Sequence, residues 1–170
     1  MGGFADQFTP EYKPEKPTNL RFADVLGMEE HMEELLEIVD FLQRPDDYIE
    51  AGAQLPKGLL LTGAPGVGKT MLARALVGEA NCSFFYAAGS EFNEVFFGMG
   101  AIRVKKLFEA AREHAPAVIF IDEIDALAGN RDAALTKSTR STINQLLAEM
   151  DGFDQSDRII IIGATNMEEA

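Results

Sequence analysis

Leu59-Leu60-Leu61-Thr62-Gly63-Ala64-Pro65-Gly66-Val67-Gly68-Lys69-Thr70 sets an apolar run directly against a glycine-rich turn. The leucines, led in by Lys57, read as a buried strand feeding a loop. The loop, GAPGVGKT from Gly63 to Thr70, fits the pattern G-x-x-x-x-G-K-[ST]. Its glycines let the backbone curl so that N–H groups point inward at a chain of phosphates. Lys69 is then placed to reach the β- and γ-phosphates of ATP, and the Thr70 hydroxyl to ligate Mg²⁺. The helix that follows turns its positive dipole end toward the same anion. The nucleotide-contacting stretch is therefore Gly63, Ala64, Pro65, Gly66, Val67, Gly68, Lys69, Thr70 and Met71.

Strands and helices alternate outward from this point. Lys69 to Ala80 has helical spacing, with Leu72, Ala75 and Leu76 on one side. Phe84 to Ala87 reads as a second strand, and Ala101 to His114 as a helix with Val104, Leu107, Phe108 and Ala111 on one face. Ala117 to Ile121 is apolar throughout, as strands of a parallel sheet covered on both faces are. Ser138 to Met150 predicts a helix and Arg158 to Gly163 a fourth strand. Upstream, Met28 to Leu42 is amphipathic and is expected to stop before Pro45. The alternation predicts an α/β fold, a doubly wound parallel sheet between helices joined by right-handed crossovers. Residues 1–20, rich in proline and charge, read as a flexible lead-in, and 21–170 as the domain.

The formal net charge of −13 argues against a general nucleic-acid or anionic-membrane binder, whose surfaces are basic. Cys82 is the single cysteine, so no intramolecular disulfide is possible. The apolar runs near Val118 and Ile160 are too short to cross a bilayer. His31 and His114 are the only histidines, and neither lies in an H-E-x-x-H motif, so no zinc site is expected.

The third strand runs Val118-Ile119-Phe120-Ile121 into Asp122-Glu123. A buried strand ending in two carboxylates, downstream of a phosphate loop, is the Walker B pattern. Asp122 would hold the Mg²⁺ shell and Glu123 would take a proton from, or orient, the attacking water. Asp125 reads either as a cap for the next segment or as a group facing a neighbouring subunit. The fourth strand ends in Ala164-Thr165-Asn166, and an amide at the carboxyl end of a central strand sits where open α/β sheets bind ligands. Asn166 reads as a holder of the attacking water or as a turn residue. Phe96-Phe97-Gly98-Met99-Gly100 reads either as core or as a loop presenting an aromatic side chain to a partner.

Taken together these stretches resemble the AAA family of ATPases, and within it the ATPase module of FtsH-type membrane-anchored zinc metalloproteases, nearest the mitochondrial i-AAA (Yme1-like) branch. The runs that carry the resemblance are Phe22 to Gly27, LPKGLLLTGAPGVGKTMLARALVGEA, SEFNEVFFGMGAIRV, APAVIFIDEIDAL, INQLLAEMDGF and IIIIGATN. The resemblance implies a three-layer P-loop fold and an adenine pocket lined by Asp24, Val25 and Leu26. It implies a pore loop at Phe96, Phe97 and Gly98 that grips unfolded polypeptide, an inter-subunit motif at Asp151, Gly152 and Phe153, and a first sensor at Asn166. Hexameric rings with ATP between subunits are the expected assembly. Ala64 and Val67 replace the family's more usual Pro and Thr, Phe97 and Met99 are bulkier than its valines, and Ile102 stands where Ser is common.

In the family's order the arginine fingers, the last strand, the helical lid and the zinc-binding protease domain all come after Asn166. The expectation is thus a partial large subdomain, with Leu59 to Leu61 on an exposed sheet edge and weak turnover alone. The implied function is ATP binding and hydrolysis that drives membrane or unfolded proteins into a protease, within protein quality control. A non-proteolytic or proteasomal-type remodeller and a non-catalytic nucleotide-binding interface module are the alternatives. The parent is expected in the mitochondrial inner membrane of a eukaryote or the plasma membrane of a bacterium, with this chain itself soluble and without nucleic-acid partners.

Overall fold

Each apolar run becomes a strand of one parallel sheet: β1 (Gly58–Thr62), β2 (Ser83–Ala88), β3 (Ala117–Asp122) and β4 (Ile159–Thr165), in the order β1-β4-β3-β2. The computed structural model describes residues 11–25, 32–63, 68–92, 99–128, 133–153 and 155–166. Leu59 pairs with Ile162, Ile119 with Ile161, and Phe85 with Ile119. β4 is buried along its whole length and β3 in all but its last residue, which is why both read as unbroken apolar runs.

Five α-helices accompany the sheet among the described residues: α1 (Met32–Gln43), α2 (Pro45–Glu50), α3 (Lys69–Ala80), α4 (Met99–Glu113) and α5 (Ala133–Gly152). Side chains of β3 divide the core between them. Val118 and Phe120 join Leu35, Leu42, Leu76 and Ile162 on the side of α1 and α3. Ile119 and Ile121 join Leu107, Phe108, Leu146 and Ile161 on the side of α4 and α5. The period-2 alternation of a strand thus makes one sheet the middle of three layers. Leu107 and Phe108 are completely buried, each worth about 1.5–3 kcal/mol relative to exposure.

Pro45 does not merely end α1. After Arg44 it opens α2 at the first helical position, where its missing N–H would have had no partner. Asp40 stands where the two helices meet. It accepts from Tyr48 Oη at 2.6 Å and pairs with Arg44, and these bonds, Tyr48 first, hold its carboxyl below the usual range. β1 lies at an edge of the described sheet, and Leu60 on it is 54% exposed.

Residues 11–20 form no helix or strand, yet they lie against the body. The Glu15 N–H donates to the Phe84 carbonyl at 2.8 Å, on the outer edge of β2, and Glu15 pairs with Arg74 of α3. The Phe22 N–H donates to Glu79 Oε1 at 3.0 Å. A Cβ on Gly78 would meet the Leu20 carbonyl oxygen at 2.0 Å. Gly78 and Glu79 near the end of α3 are therefore where the entering chain docks. Residues 1–10 lie outside the described residues.

Candidate nucleotide site

The parallel sheet delivers the carboxyl ends of β1, β4 and β3 to one rim, as neighbours in that order. Gly63, Asn166 and Asp122 sit at or just past those three ends. Gly63 has φ 147° and Gly68 φ 84°, backbone states that favour glycine. Gly68 caps α3, its carbonyl accepting the Leu72 N–H at 2.9 Å. Lys69 and Thr70 form the first turn of α3, with Thr70 half-buried and Met71 exposed. Lys69 Nζ donates to the Gly63 carbonyl at 2.9 Å and to Asn166 Oδ1 at 2.9 Å. Ala64, Pro65, Gly66 and Val67 lie outside the described residues.

Asp122 ends β3 with both carboxylate oxygens engaged. Oδ1 accepts the Glu123 N–H at 2.9 Å, and Oδ2 accepts the Tyr86 hydroxyl at 2.9 Å. Burial first, and then that bond to Asp122, push the Tyr86 phenol up to about 12. Glu123 is exposed and has φ 49°, an uncommon state for a residue with a side chain. Its carbonyl accepts the Ala126 N–H at 2.9 Å. A Cβ on Gly89 would stand 2.3 Å from that carbonyl oxygen, so only glycine lets the turn after β2 pass here. Sequence reasoning missed Tyr86 and Gly89. Neither belongs to a motif, and their roles come from β2 lying beside β3.

Asp125 accepts the Thr165 hydroxyl at 2.8 Å, which ties the turn after β3 to the residue before Asn166. Thr165 is buried and Asn166 exposed. Asp151 and Gly152 are exposed at the end of α5. Phe153 instead belongs to the chain's own core, 1% exposed, with its ring 6.0 Å from Phe108 and beneath Lys57 Nζ at 5.2 Å. Asp24 accepts the Arg21 N–H at 3.0 Å in a single 3₁₀ turn, and Val25 packs on the α1 and α3 side. Leu26, Phe96, Phe97 and Gly98 lie outside the described residues.

Residues 59–170 match the model of the ATPase family associated with various cellular activities (AAA). The chain belongs to the AAA family of ATPases. Nucleotide binding is what this AAA core is built for. It is 56% identical over 153 residues to the mitochondrial inner membrane i-AAA protease supercomplex subunit YME1 of Saccharomyces cerevisiae, covering 90% of the chain and 20% of that protein. It is 55% identical over 149 residues to the ATP-dependent zinc metalloprotease FtsH of Ureaplasma parvum, covering 88% and 21%. With human ATP-dependent zinc metalloprotease YME1L1 the figures are 52% over 158 residues, 92% and 20%. The AAA core thus spans about a fifth of these relatives. Among the described residues no group of three His, Cys, Asp or Glu could hold a metal, and no helix is long and apolar enough to cross a membrane.

Proposed function

We propose that this chain is the ATPase core of an FtsH/Yme1-like protease. It binds Mg-ATP at the rim of the sheet and hydrolyses it to pull polypeptide toward a protease domain. The observation that carries the reading is the contact of Lys69 with both Gly63 and Asn166, one strand away from Asp122 and Glu123. It brings the phosphate-binding lysine and the sensor amide to one point. The names of the relatives support the link to proteolysis.

Asp122 and the Thr70 hydroxyl are hard oxygen donors of the kind Mg²⁺ takes, one or two from protein and the rest from phosphate and water. Bound there, Mg²⁺ supplies positive charge against the phosphate oxygens. Lys69 adds to that charge from the helix terminus. Asn166 and Glu123 orient a water whose oxygen bonds to the γ-phosphorus as the bond to the bridging oxygen breaks. ADP leaves, and the water's proton passes to Glu123.

Asp24, Val25 and Leu26 are assigned to the adenine, the stretch Ala64 to Val67 to the phosphates, and Met71 to the edge of the nucleotide. Phe96, Phe97 and Gly98 are assigned to the substrate, and the exposed Asp151 and Gly152 to a neighbour in a hexamer, while Phe153 anchors that turn in the chain's own core. An arginine from that neighbour would supply about 10³- to 10⁵-fold in rate. The parent is proposed to sit in a membrane, the mitochondrial inner membrane in a eukaryote or the plasma membrane in a bacterium.

Calorimetric titration with Mg-ATP tests the site. Binding weakened by about ten- to a hundredfold in Lys69→Ala is expected, with Glu123→Gln binding as well as wild type while losing hydrolysis. Binding indifferent to Lys69→Ala overturns the assignment.

A further inference from the structure

A line of side chains runs from the N-terminal segment to the end of β3. Glu15 takes both Arg74 Nε and Arg74 Nη2 at 3.2 Å, one on each carboxylate oxygen. The Arg74 guanidinium lies 5.7 Å from the centre of the Tyr86 ring and 5.8 Å from that of Phe84. Tyr86 stacks on Phe120 at 5.7 Å with the planes 18° apart. Its hydroxyl ends on Asp122 Oδ2, while the backbone of Glu123 holds Oδ1. Two fixed donors on two oxygens leave the Asp122 carboxylate a single orientation. One donor is backbone and invariant to side-chain change; the other is Tyr86.

Tyr86 is itself steered. Phe120 fixes the plane of its ring from one side, and the Arg74 guanidinium lies over it. Arg74 in turn is held by Glu15, whose backbone N–H is pinned to the edge of β2. A shift of the segment around Glu15 therefore moves a cation over the ring whose hydroxyl aims Asp122.

We propose that Tyr86 is a positioning residue for the Mg²⁺-facing carboxylate of Asp122, and that the segment around Glu15 sets Tyr86 through Arg74. Docking of the chain that enters the ATPase core is thereby converted into Mg²⁺ affinity at the nucleotide. This rests on the reading of Asp122 as the Mg²⁺-side residue. Partners one shell out from a metal commonly matter by ten- to a hundredfold in affinity. Mg²⁺ keeps several waters, which places the effect of Tyr86 at the lower end, about tenfold.

The test titrates Mg²⁺ into the full chain holding a fluorescent, non-hydrolysable ATP analogue, with a parallel measurement of analogue affinity in EDTA. Tyr86→Phe keeps the stacked ring and loses the hydroxyl. Its Mg²⁺ midpoint is expected to rise about tenfold with the EDTA affinity unchanged. Glu15→Gln, at the half-exposed far end, is expected to shift the midpoint the same way by less, and to add nothing in the Tyr86→Phe background. An unchanged midpoint in Tyr86→Phe overturns the proposal, and so does equal loss with and without Mg²⁺. Should Tyr86→Phe not fold, an unchanged midpoint in Glu15→Gln overturns it instead. A wild-type chain that does not bind the analogue at all strikes down the nucleotide site itself, a different result from binding with a midpoint that ignores Tyr86.

Discussion

The ammonium of Lys69 and the amide oxygen of Asn166 are 2.9 Å apart, although 97 positions separate them in the chain. The same ammonium reaches the carbonyl that opens the phosphate loop. A γ-phosphate entering this rim competes with both oxygens for one cation. Hydrogen bonds to charged groups are worth about 1.5–3 kcal/mol, so Lys69→Ala is expected to weaken ATP by about ten- to a hundredfold. Asn166→Asp puts a carboxylate against Lys69 and opposite the phosphate, and should weaken ATP more than ADP. Calorimetry with the two nucleotides reads both; equal weakening of the two by Asn166→Asp would count against a role for Asn166 at the γ-phosphate.

Gly89→Ala is expected to separate hydrolysis from binding. The new methyl would stand 2.3 Å from the Glu123 carbonyl oxygen, and backbone cannot yield as a flexible side chain can. The turn bearing Glu123 must shift, at a cost of about 1–3 kcal/mol in stability. Nucleotide affinity should stay within about twofold while turnover in the assembled ATPase falls at least tenfold, because Glu123 and not Lys69 is displaced. Unchanged turnover would show that Glu123 tolerates the displacement.

Phe153→Ala should destabilise the isolated chain. Phe153 is buried against Phe108 and under Lys57, and emptying such a site costs about 3–5 kcal/mol. Asp151→Ala, at an exposed position, should change stability by less than about 0.5 kcal/mol. Urea denaturation of the two variants distinguishes a core residue from one held out for a neighbour.

Cys82 gives a pH signature. Burial pushes its thiol from an ordinary 9.0 up to about 12. Below pH 9 the thiol keeps its proton folded or unfolded, and its contribution to stability is fully present. Between pH 9 and 12 only the unfolded chain releases the proton, so stability falls as pH rises and the contribution is gone above 12. Cys82→Ala should show a shallower loss of stability across that window. At pH 8 the thiolate fraction in the folded chain is on the order of 10⁻⁴, so native protein should resist iodoacetamide until denatured.

The strands and the phosphate-site residues were legible because each depends on local pattern. Val118 to Ile121 and Ile159 to Ile162 are apolar runs that state their own burial. Leu59 to Leu61, read as a buried strand, is instead an edge strand none of whose leucines is fully buried, because what covers a strand is not written in its own residues. Lys69, Asp122 and Asn166 each sit at a strand end or helix start that the pattern locates. Helix limits were less legible. α2 was hidden because Pro45 signals a stop to the helix before it and a start to the helix after it. Tyr86 and Gly89 were out of reach for another reason. What each touches lies on β3 and the turn after it, and that pairing exists only once β2 is laid beside β3. The docking of residues 11–20 was equally silent, since a proline-rich composition describes the segment and not the surface at Gly78 and Glu79 that receives it.

Strand order also dictates a sequence of events on the ribosome. β2 and β3 are close in the chain, with α4 between them. β1 is made first, yet its only partner among the described strands is β4, the last to be synthesised. The strand that feeds the phosphate loop has nothing to pair with until Ile159 to Thr165 has emerged, and closing so long a loop is slow. The nascent chain therefore carries an unpaired, leucine-rich strand until β4 has emerged, the kind of exposure that chaperones shield. Lys69 meets Asn166 only once β4 has been made, so a chain halted before Ile159 has no complete nucleotide rim with which to trap ATP.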